Sequence, residues 1–372
     1  MILIGFSLPK DTLMKTSYLS KDTSNAIKGI ALIAMFIHHL YTFPERIVSG
    51  IAHPDITTFA FFFCAPFKIC VPIFAFLTGY FYGISQNRTY RYSLRKISDL
   101  LISYWIVYIP LLLLALGLGC YQFQFKEFLY ELFALKCPIM THNWYVYFYC
   151  ASMLLLPVFS KISTQVPGKY MTAKMVLTVA VLTVLKALSP IWVLDQIFGS
   201  LVEFFPCIIV GFMFAEYSLF QQMDITANKL LNSELIKLIL WIVMVYVAFL
   251  DRTLFPNFKL GATLFNGQWT ELSFTMDIIY APLFIYGIAH ILQYAKERLL
   301  FKTLVSIGKY SLLMWFIHCL FSNACSEITQ PILYAPYNPI LVVLLALGFC
   351  YAIARLIHPI LNQLLKLKNK LP

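Results

Sequence analysis

The chain has 372 residues, of which 60% are hydrophobic and only 12% are charged, and its mean hydropathy is +0.77. Soluble domains carry about 25% charged residues, so this composition excludes a soluble protein and indicates a polytopic membrane protein. The net charge of +11 would point to nucleic acid in a soluble protein, whereas in a membrane protein it indicates loops that face anionic lipid.

Ten apolar segments are long enough, or nearly long enough, to cross a membrane. They cover residues 26–43, 59–82, 97–119, 143–159, 172–188, 197–219, 235–250, 272–295, 303–322 and 339–358. The first apolar run, residues 1–9, is short and lacks a basic leader, so no signal peptide is expected. The sequence predicts an all-α fold, a polytopic membrane helix bundle of about ten transmembrane helices.

The positive charges predict the orientation of this bundle. If the N-terminus is cytoplasmic, 21 of the 28 Lys and Arg residues fall in cytoplasmic segments or at the cytoplasmic ends of spans, five fall in outer loops, and Lys68 and Lys186 lie elsewhere within spans. Such a bias follows the positive-inside rule and places both termini in the cytoplasm. Because the charge then belongs to the inner leaflet, we expect membrane lipid as a partner and no nucleic acid.

The first span contains the most informative pair of residues, Lys28 and His39, in the stretch NAIKGIALIAMFIHHLYTF (25–43). Eleven positions at about 100° each bring the two side chains back to nearly the same helix face, roughly 16 Å apart along the axis. His38 points about 100° away from His39, so only one histidine shares the face with Lys28. Charged and titratable groups inside a membrane bundle are costly, which makes this face a candidate site.

Polar residues in two later spans each have more than one explanation. Lys68 in the second span either extends its amine to the outer interface or faces the same cavity as His39, where it would stabilise developing negative charge. Gly79, near the inner end of that span, predicts close helix packing. Glu203 in the sixth span is the acid best placed in the outer half to orient a histidine.

The outer loop before the fourth span is a further candidate region. In residues 120–142 the apolar positions recur at helical spacing, which predicts either an interfacial helix or an extension of the third span. His142 and Trp144 open the fourth span, either as part of an aromatic belt or as the entrance for a sugar. In the ninth span His318 follows Lys309 by nine residues, although a buried histidine often does no more than satisfy a hydrogen bond.

Several familiar chemistries have no counterpart in the sequence. It contains no G-x-x-x-x-G-K-[ST], G-x-S-x-G or H-E-x-x-H motif and no run of carboxylates, which argues against an ATP-driven pump, a serine hydrolase and a metal site. The nine cysteines include no C-x-x-C pair, and most lie in apolar runs. We interpret them as small buried hydrophobic residues rather than metal ligands or disulfides.

Five stretches, in family order, resemble the membrane acyltransferase 3 family. They are KGIALIAMFIHHLY (28–41), VPIFAFLTGYF (71–81), HNWYVYFYCASMLLLP (142–157), FFPCIIVGFMFAE (204–216) and SIGKYSLLMWFIH (306–318). In the first stretch, the family's basic residue and the histidine that follows after ten residues correspond to Lys28 and His39. The family usually has arginine in place of Lys28 and serine in place of Thr78.

The resemblance implies an acyltransferase of the bacterial inner membrane that moves an acyl group, most often acetyl, from cytoplasmic acyl-CoA to a glycan hydroxyl. The acceptor would be an extracytoplasmic or lipid-linked unit of O-antigen, capsule or exopolysaccharide. The transmembrane domain would cover residues 26–358, between a cytoplasmic tail of residues 1–25 and a basic cytoplasmic tail of residues 359–372. No metal is implied.

The resemblance also implies roles for the candidate residues. His39 would be the general base, helped by Lys68 at the oxyanion and by Glu203. Lys28 and Lys309 would bind the CoA donor through its phosphates. The residues expected at the acceptor are His38, His142, Trp144 and His318.

Two other functions stay open from the sequence. A transporter or flippase for a glycan or an acylated intermediate would be expected to show internal repeats or matched broken helices, and neither is visible. The second is a structural or sensing membrane protein with an inactive acyltransferase-like fold. It stays open because Lys28 lacks the planar, two-pronged donor of arginine.

Overall fold

The computed structural model describes residues 17–52, 64–136, 138–140, 142, 144–165, 170–187, 191–254, 257–263, 269–321 and 325–370. The helices in this part are α1 (Lys21–Tyr41), α2 (Cys70–Ile84), α3 (Tyr90–Gly117), α4 (Phe125–Leu132), α5 (Trp144–Gln165), α6 (Met171–Ala187), α7 (Trp192–Glu216), α8 (Leu219–Leu230), α9 (Glu234–Leu254), α10 (Asp277–Gln293), α11 (Leu299–Ile317), α12 (Ser326–Tyr334) and α13 (Pro339–Lys368). Short 3-10 helices lie at Pro44–Arg46, Ala65–Ile69 and His318–Phe321. Residues 1–16 of the predicted N-terminal tail and residues 59–63 of the predicted second span lie outside the described residues.

A helix occupies each of the ten predicted spans. Six stretches of the described chain are long and apolar enough to cross a membrane: Pro66–Ile84, Tyr90–Gly117, Trp144–Ile162, Trp192–Glu216, Leu299–Phe321 and Pro339–Lys368. They indicate a multi-pass membrane protein, whereas the full count of ten and the location of the termini stay predictions. Helix α1 is not among the six because Lys28 and two histidines lower its hydropathy, yet most of its residues are buried, so helices rather than lipid surround these polar groups.

A close helix crossing lies at the centre of the bundle, between α1 and α11. Gly29 of α1 and Gly308 of α11 face the backbone of the other helix, and a side-chain carbon at Gly308 would overlap the carbonyl group of Asn25. In a membrane the hydrophobic effect does not drive helices together, so their association depends on close packing, which small residues permit. The crossing therefore brings the lysines next to these glycines, Lys28 and Lys309, onto adjacent helices at the same level of the bundle.

Helices α2 and α7 cross in the same way. Gly79 faces the carbonyl group of Ile208, and Gly211 faces that of Phe76, with no space for a side-chain carbon at either glycine. The predicted packing role of Gly79 is confirmed. Because the two crossings involve four different helices, they fix two helix pairs around which the remaining helices pack.

The described chain is helical, as predicted, apart from one short pair of strands. Strands β1 (Asn257–Thr263) and β2 (Trp269–Thr275) pair antiparallel, with Phe258 opposite Phe274. From the sequence this region had been placed in an outer loop. The stretch NFKLGAT alternates polar or small residues with apolar ones, which is the period of a strand and is missed when only helical periods are sought.

The loop between the third and fourth predicted spans contains a separate helix rather than an extension of α3. Helix α3 ends at Gly117, and Gly119 has a φ of 71°, a conformation that favours glycine and turns the chain before α4 begins. In α4 the carboxylate of Glu131 is fully buried and accepts hydrogen bonds from the hydroxyls of Tyr108 and Tyr121. Burial raises the pKa of Glu131, although the hydrogen bonds from the two tyrosines act in the opposite direction and lower it.

The segment before α1 is tied to the bundle through Asp224 of α8. Its carboxylate accepts hydrogen bonds from Tyr18 at 3.1 Å, Tyr286 at 2.7 Å and His290 Nε2 at 2.9 Å. Burial alone would raise the pKa of Asp224, but these hydrogen bonds outweigh burial and hold it below its usual range. The carboxylate is therefore charged at neutral pH and anchors the chain just before α1.

Candidate active site

Three histidines meet at the end of α1 that is opposite Lys28. His39 lies in the last turn of α1, His318 begins the 3-10 helix after α11, and His142 lies two residues before α5. The His39 Nδ1 atom is 2.7 Å from His318 Nε2, and the ring of His142 stacks on that of His39 with centroids 4.1 Å apart. We call this end of the bundle the histidine end and the end that holds Lys28 the lysine end.

The hydrogen bonds of His318 determine where the protons lie on two of these rings. His318 Nδ1 contacts the backbone carbonyl of Trp315, which can only accept, so Nδ1 carries a proton. When both rings are neutral, His318 accepts at Nε2 and His39 donates from Nδ1. The other nitrogen of His39, Nε2, is left unprotonated, which is the state required of a general base.

The same three histidines also form a possible metal site within the described residues, because their ligand atoms lie within 4.8 Å of one another. Their arrangement fits hydrogen bonding better. Two nitrogens on one tetrahedral zinc ion lie about 3.3 Å apart, whereas His39 Nδ1 and His318 Nε2 are 2.7 Å apart.

A cavity of about 480 Å³, here called the central cavity, joins the two ends of the bundle. Lys28, Lys96 and Lys309 line it at the lysine end, and His39 and His142 line it at the histidine end. The wall between them is mainly apolar and includes Met35, Val71, Phe74 and Leu313. This distribution suits a ligand with an anionic head and a long arm of low charge.

Comparison with known proteins agrees with this geometry. Residues 22–358, nearly the whole chain, match the family model described as Acyltransferase domain, Acyl_transf_3. The chain belongs to the acyltransferase 3 family. No curated protein and no solved structure matches it significantly. The family and the apolar helices together identify this acyltransferase 3 protein as a multi-pass membrane protein of acyltransferase type.

The structure brings most of the predicted site residues of this acyltransferase 3 protein together. Those that line the central cavity are Lys28, His39, His142, Trp144 and Lys309. His318 does not need to line it, because it contacts the imidazole of His39 directly. The shared face of Lys28 and His39 that the eleven-residue spacing predicts is thus present.

Three predicted site residues lie away from the central cavity. His38 Nδ1 lies 3.4 Å from the carbonyl oxygen of Cys64 and 3.0 Å from the hydroxyl of Thr42, on the side of α1 that its spacing predicts. Lys68 Nζ lies 3.5 Å from Glu203, and these two side chains are 44% and 49% exposed. Lys68 thus lies with Glu203 at the exposed outer surface, in the 3-10 helix Ala65–Ile69.

Two parts of the site do not follow from the sequence analysis. The contact between His39 and His318 joins residues 279 positions apart, although α1 and α11 share a signal, since each carries a lysine beside a glycine and a histidine about three turns later. The other part is Lys96 of α3, which from the sequence is only one of the 21 cytoplasmic charges. In the structure it is a third cation at the lysine end of the central cavity.

Proposed function

We propose that this protein is a membrane O-acyltransferase that moves an acyl group, most often acetyl, from cytoplasmic acyl-CoA to a hydroxyl of a surface glycan in the bacterial cell envelope. The central cavity carries this proposal, because it joins three lysines at one end to His39 at the other. The lysine end then faces the cytoplasm, in keeping with the positive-inside bias of the sequence.

In this proposal the acyl donor lies along the central cavity. Lys28, Lys96 and Lys309 attract the CoA phosphates as point charges, a role that does not depend on the planar fork of arginine. The apolar wall holds the pantetheine arm. The thioester then lies near His39, about 16 Å along α1 from Lys28.

The transfer step needs one base and one acceptor hydroxyl. His39 Nε2 removes the hydroxyl proton while the hydroxyl oxygen attacks the thioester carbonyl carbon. The new carbon–oxygen bond forms, the carbon–sulfur bond breaks, and the proton passes to the departing thiolate. His318 acts as a positioning residue that holds His39 in the required tautomer, and the Lys68–Glu203 pair belongs to the acceptor side.

Labelled acetyl-CoA supplied to membranes that contain the protein tests this proposal. The His39→Ala variant should lose at least about a hundredfold of glycan labelling at unchanged protein level, since it lacks the general base. The matched control is His38→Ala, which removes the neighbouring imidazole outside the central cavity and should retain labelling. Equal labelling by both variants, or persistent labelling in His39→Ala, would show that His39 is not the base. Acylation that stays intact while glycan transport is lost would favour a transporter.

A further inference from the structure

A second cavity, of about 660 Å³, opens at the histidine end, and we name it the Trp192 cavity. It lies between α5, α6, α7 and the loop after α4. Its lining residues include Trp144, Lys186, Trp192, Asp195, Gln196 and Glu203. Its volume falls within the range typical of small-molecule sites.

The aromatic rings of this cavity are placed as stacking surfaces. Trp192, the first residue of α7, is 44% exposed, and its ring contacts that of Tyr130 edge-on at 5.7 Å, which holds it in place. The ring of Trp144 packs on Phe204 at 5.3 Å. An exposed indole beside amide and carboxylate groups suits a ligand that has both an apolar face and hydroxyl groups, as a sugar ring has.

The charges of the Trp192 cavity are balanced. Lys186 lies over Gly199, its Nζ 3.7 Å from where a side-chain carbon would sit, and Asp195 lies one turn away on α7. Of the other two charged lining residues, Glu203 is paired with Lys68, and Lys136 is paired with Glu127 at 2.6 Å. With both signs present, the cavity offers hydrogen-bond donors and acceptors without the excess of cations that a polyanion would require. The lining therefore favours a neutral sugar.

The Trp192 cavity is adjacent to the central cavity. Trp144 lines both this cavity and the central cavity, and His142, two residues earlier, lines the central cavity beside His39. Another pocket at the histidine end is lined by His39, Arg46 and Gln330, but its volume of about 20 Å³ holds no more than a water molecule. The only one of these two openings with room for a sugar is the Trp192 cavity.

We infer that the Trp192 cavity binds a neutral sugar unit of the acceptor glycan, with its hydroxyl directed past Trp144 towards His39. The inference rests on the proposed function and adds the acceptor site and the charge class of the acceptor. It assigns Trp192 to stacking, and Asp195 and Gln196 to hydrogen bonds with hydroxyl groups.

The test uses purified full-length protein, labelled acetyl-CoA and surface glycan from the strain that makes the protein. Mild base removes existing esters from the glycan, and ion exchange then separates it into neutral and anionic fractions. The wild-type protein should label the neutral fraction. Trp192→Ala should raise the KM for this fraction by about tenfold, the effect of one lost aromatic contact. The KM for acetyl-CoA should not change.

Two control variants, together with the His39-dependent hydrolysis of acetyl-CoA, distinguish the possible outcomes. Phe123→Ala removes an exposed aromatic residue outside the cavity and is the control for Trp192→Ala. Glu327→Gln, at an exposed carboxylate outside the cavity, is the control for Asp195→Asn. Both control variants should keep wild-type KM values for the glycan. Labelling confined to the anionic fraction, or cavity variants that behave like their controls, would overturn the inference alone. Absence of all His39-dependent labelling and of His39-dependent acetyl-CoA hydrolysis would instead overturn the proposed function.

Discussion

Among single side chains, His318 determines the tautomer of the His39 ring. Its Nδ1 proton is committed to the carbonyl of Trp315, so its Nε2 can only accept from His39. The ring of His142 stacks on the same imidazole, with centroids 4.1 Å apart, and limits rotation of the ring. In the proposed function, the base nitrogen of His39 is therefore set by these two neighbours and not by an acid such as Glu203, which lies at the Trp192 cavity.

Replacing His318 by alanine should lower kcat by about 10–100-fold, the usual cost of losing a residue that orients a catalytic group. The KM for acyl-CoA should change little, because the lysine end is untouched. His318→Gln keeps an oxygen that can accept from His39 Nδ1 and should recover part of the lost rate. Steady-state kinetics on the three proteins measures both quantities. Wild-type kcat in the alanine variant, or no difference between alanine and glutamine, would rule out this role.

Among the helices, the α1–α11 crossing sets the distance between two of the cations. Gly29 is next to Lys28 and Gly308 is next to Lys309, so the two lysines can lie close together only while both glycines let the backbones touch. The crossing thus links helix packing directly to the charge at the lysine end of the central cavity.

The Gly308→Ala substitution should push α1 and α11 apart, because its side-chain carbon would overlap the carbonyl of Asn25. We expect a loss of about 1–3 kcal/mol of stability, as for other overpacked sites, and a higher KM for acyl-CoA. The control is Gly348→Ala in α13, where nothing lies within 4 Å of the added carbon. It should be neutral or stabilising by up to about 1 kcal/mol. Equal melting temperatures of the two variants in detergent would contradict a close-packed crossing.

Local sequence patterns are enough to predict the helices and the shared face of Lys28 and His39, because both follow from the helical period. They fail where another geometry replaces the α-helix, as in the strand pair after α9. They also cannot supply contacts between distant parts of the chain. The His39–His318 hydrogen bond and the closeness of Trp192 to Trp144 depend on how the helices pack.

For the whole molecule, the proposed function assigns the acyl donor to the central cavity and the acceptor glycan to the Trp192 cavity. The central cavity begins among lysines and ends at His39, and the Trp192 cavity opens from the histidine end and shares Trp144 with it. In the proposed function only the acyl group passes from one face to the other. Donor and acceptor each stay on their own side, in contrast to a transporter, which must alternately expose one site to both faces.

Sealed vesicles that contain the purified protein in a single orientation provide the decisive measurement. Labelled acetyl-CoA is supplied only on the side of the lysine end, and the glycan acceptor is enclosed only on the side of the histidine end. We predict that label reaches the glycan across the intact membrane, that the CoA stays on its own side, and that His39→Ala vesicles show no transfer. Transfer that requires donor and acceptor on the same side, or that proceeds equally in His39→Ala vesicles, would contradict a catalytic path through the central cavity.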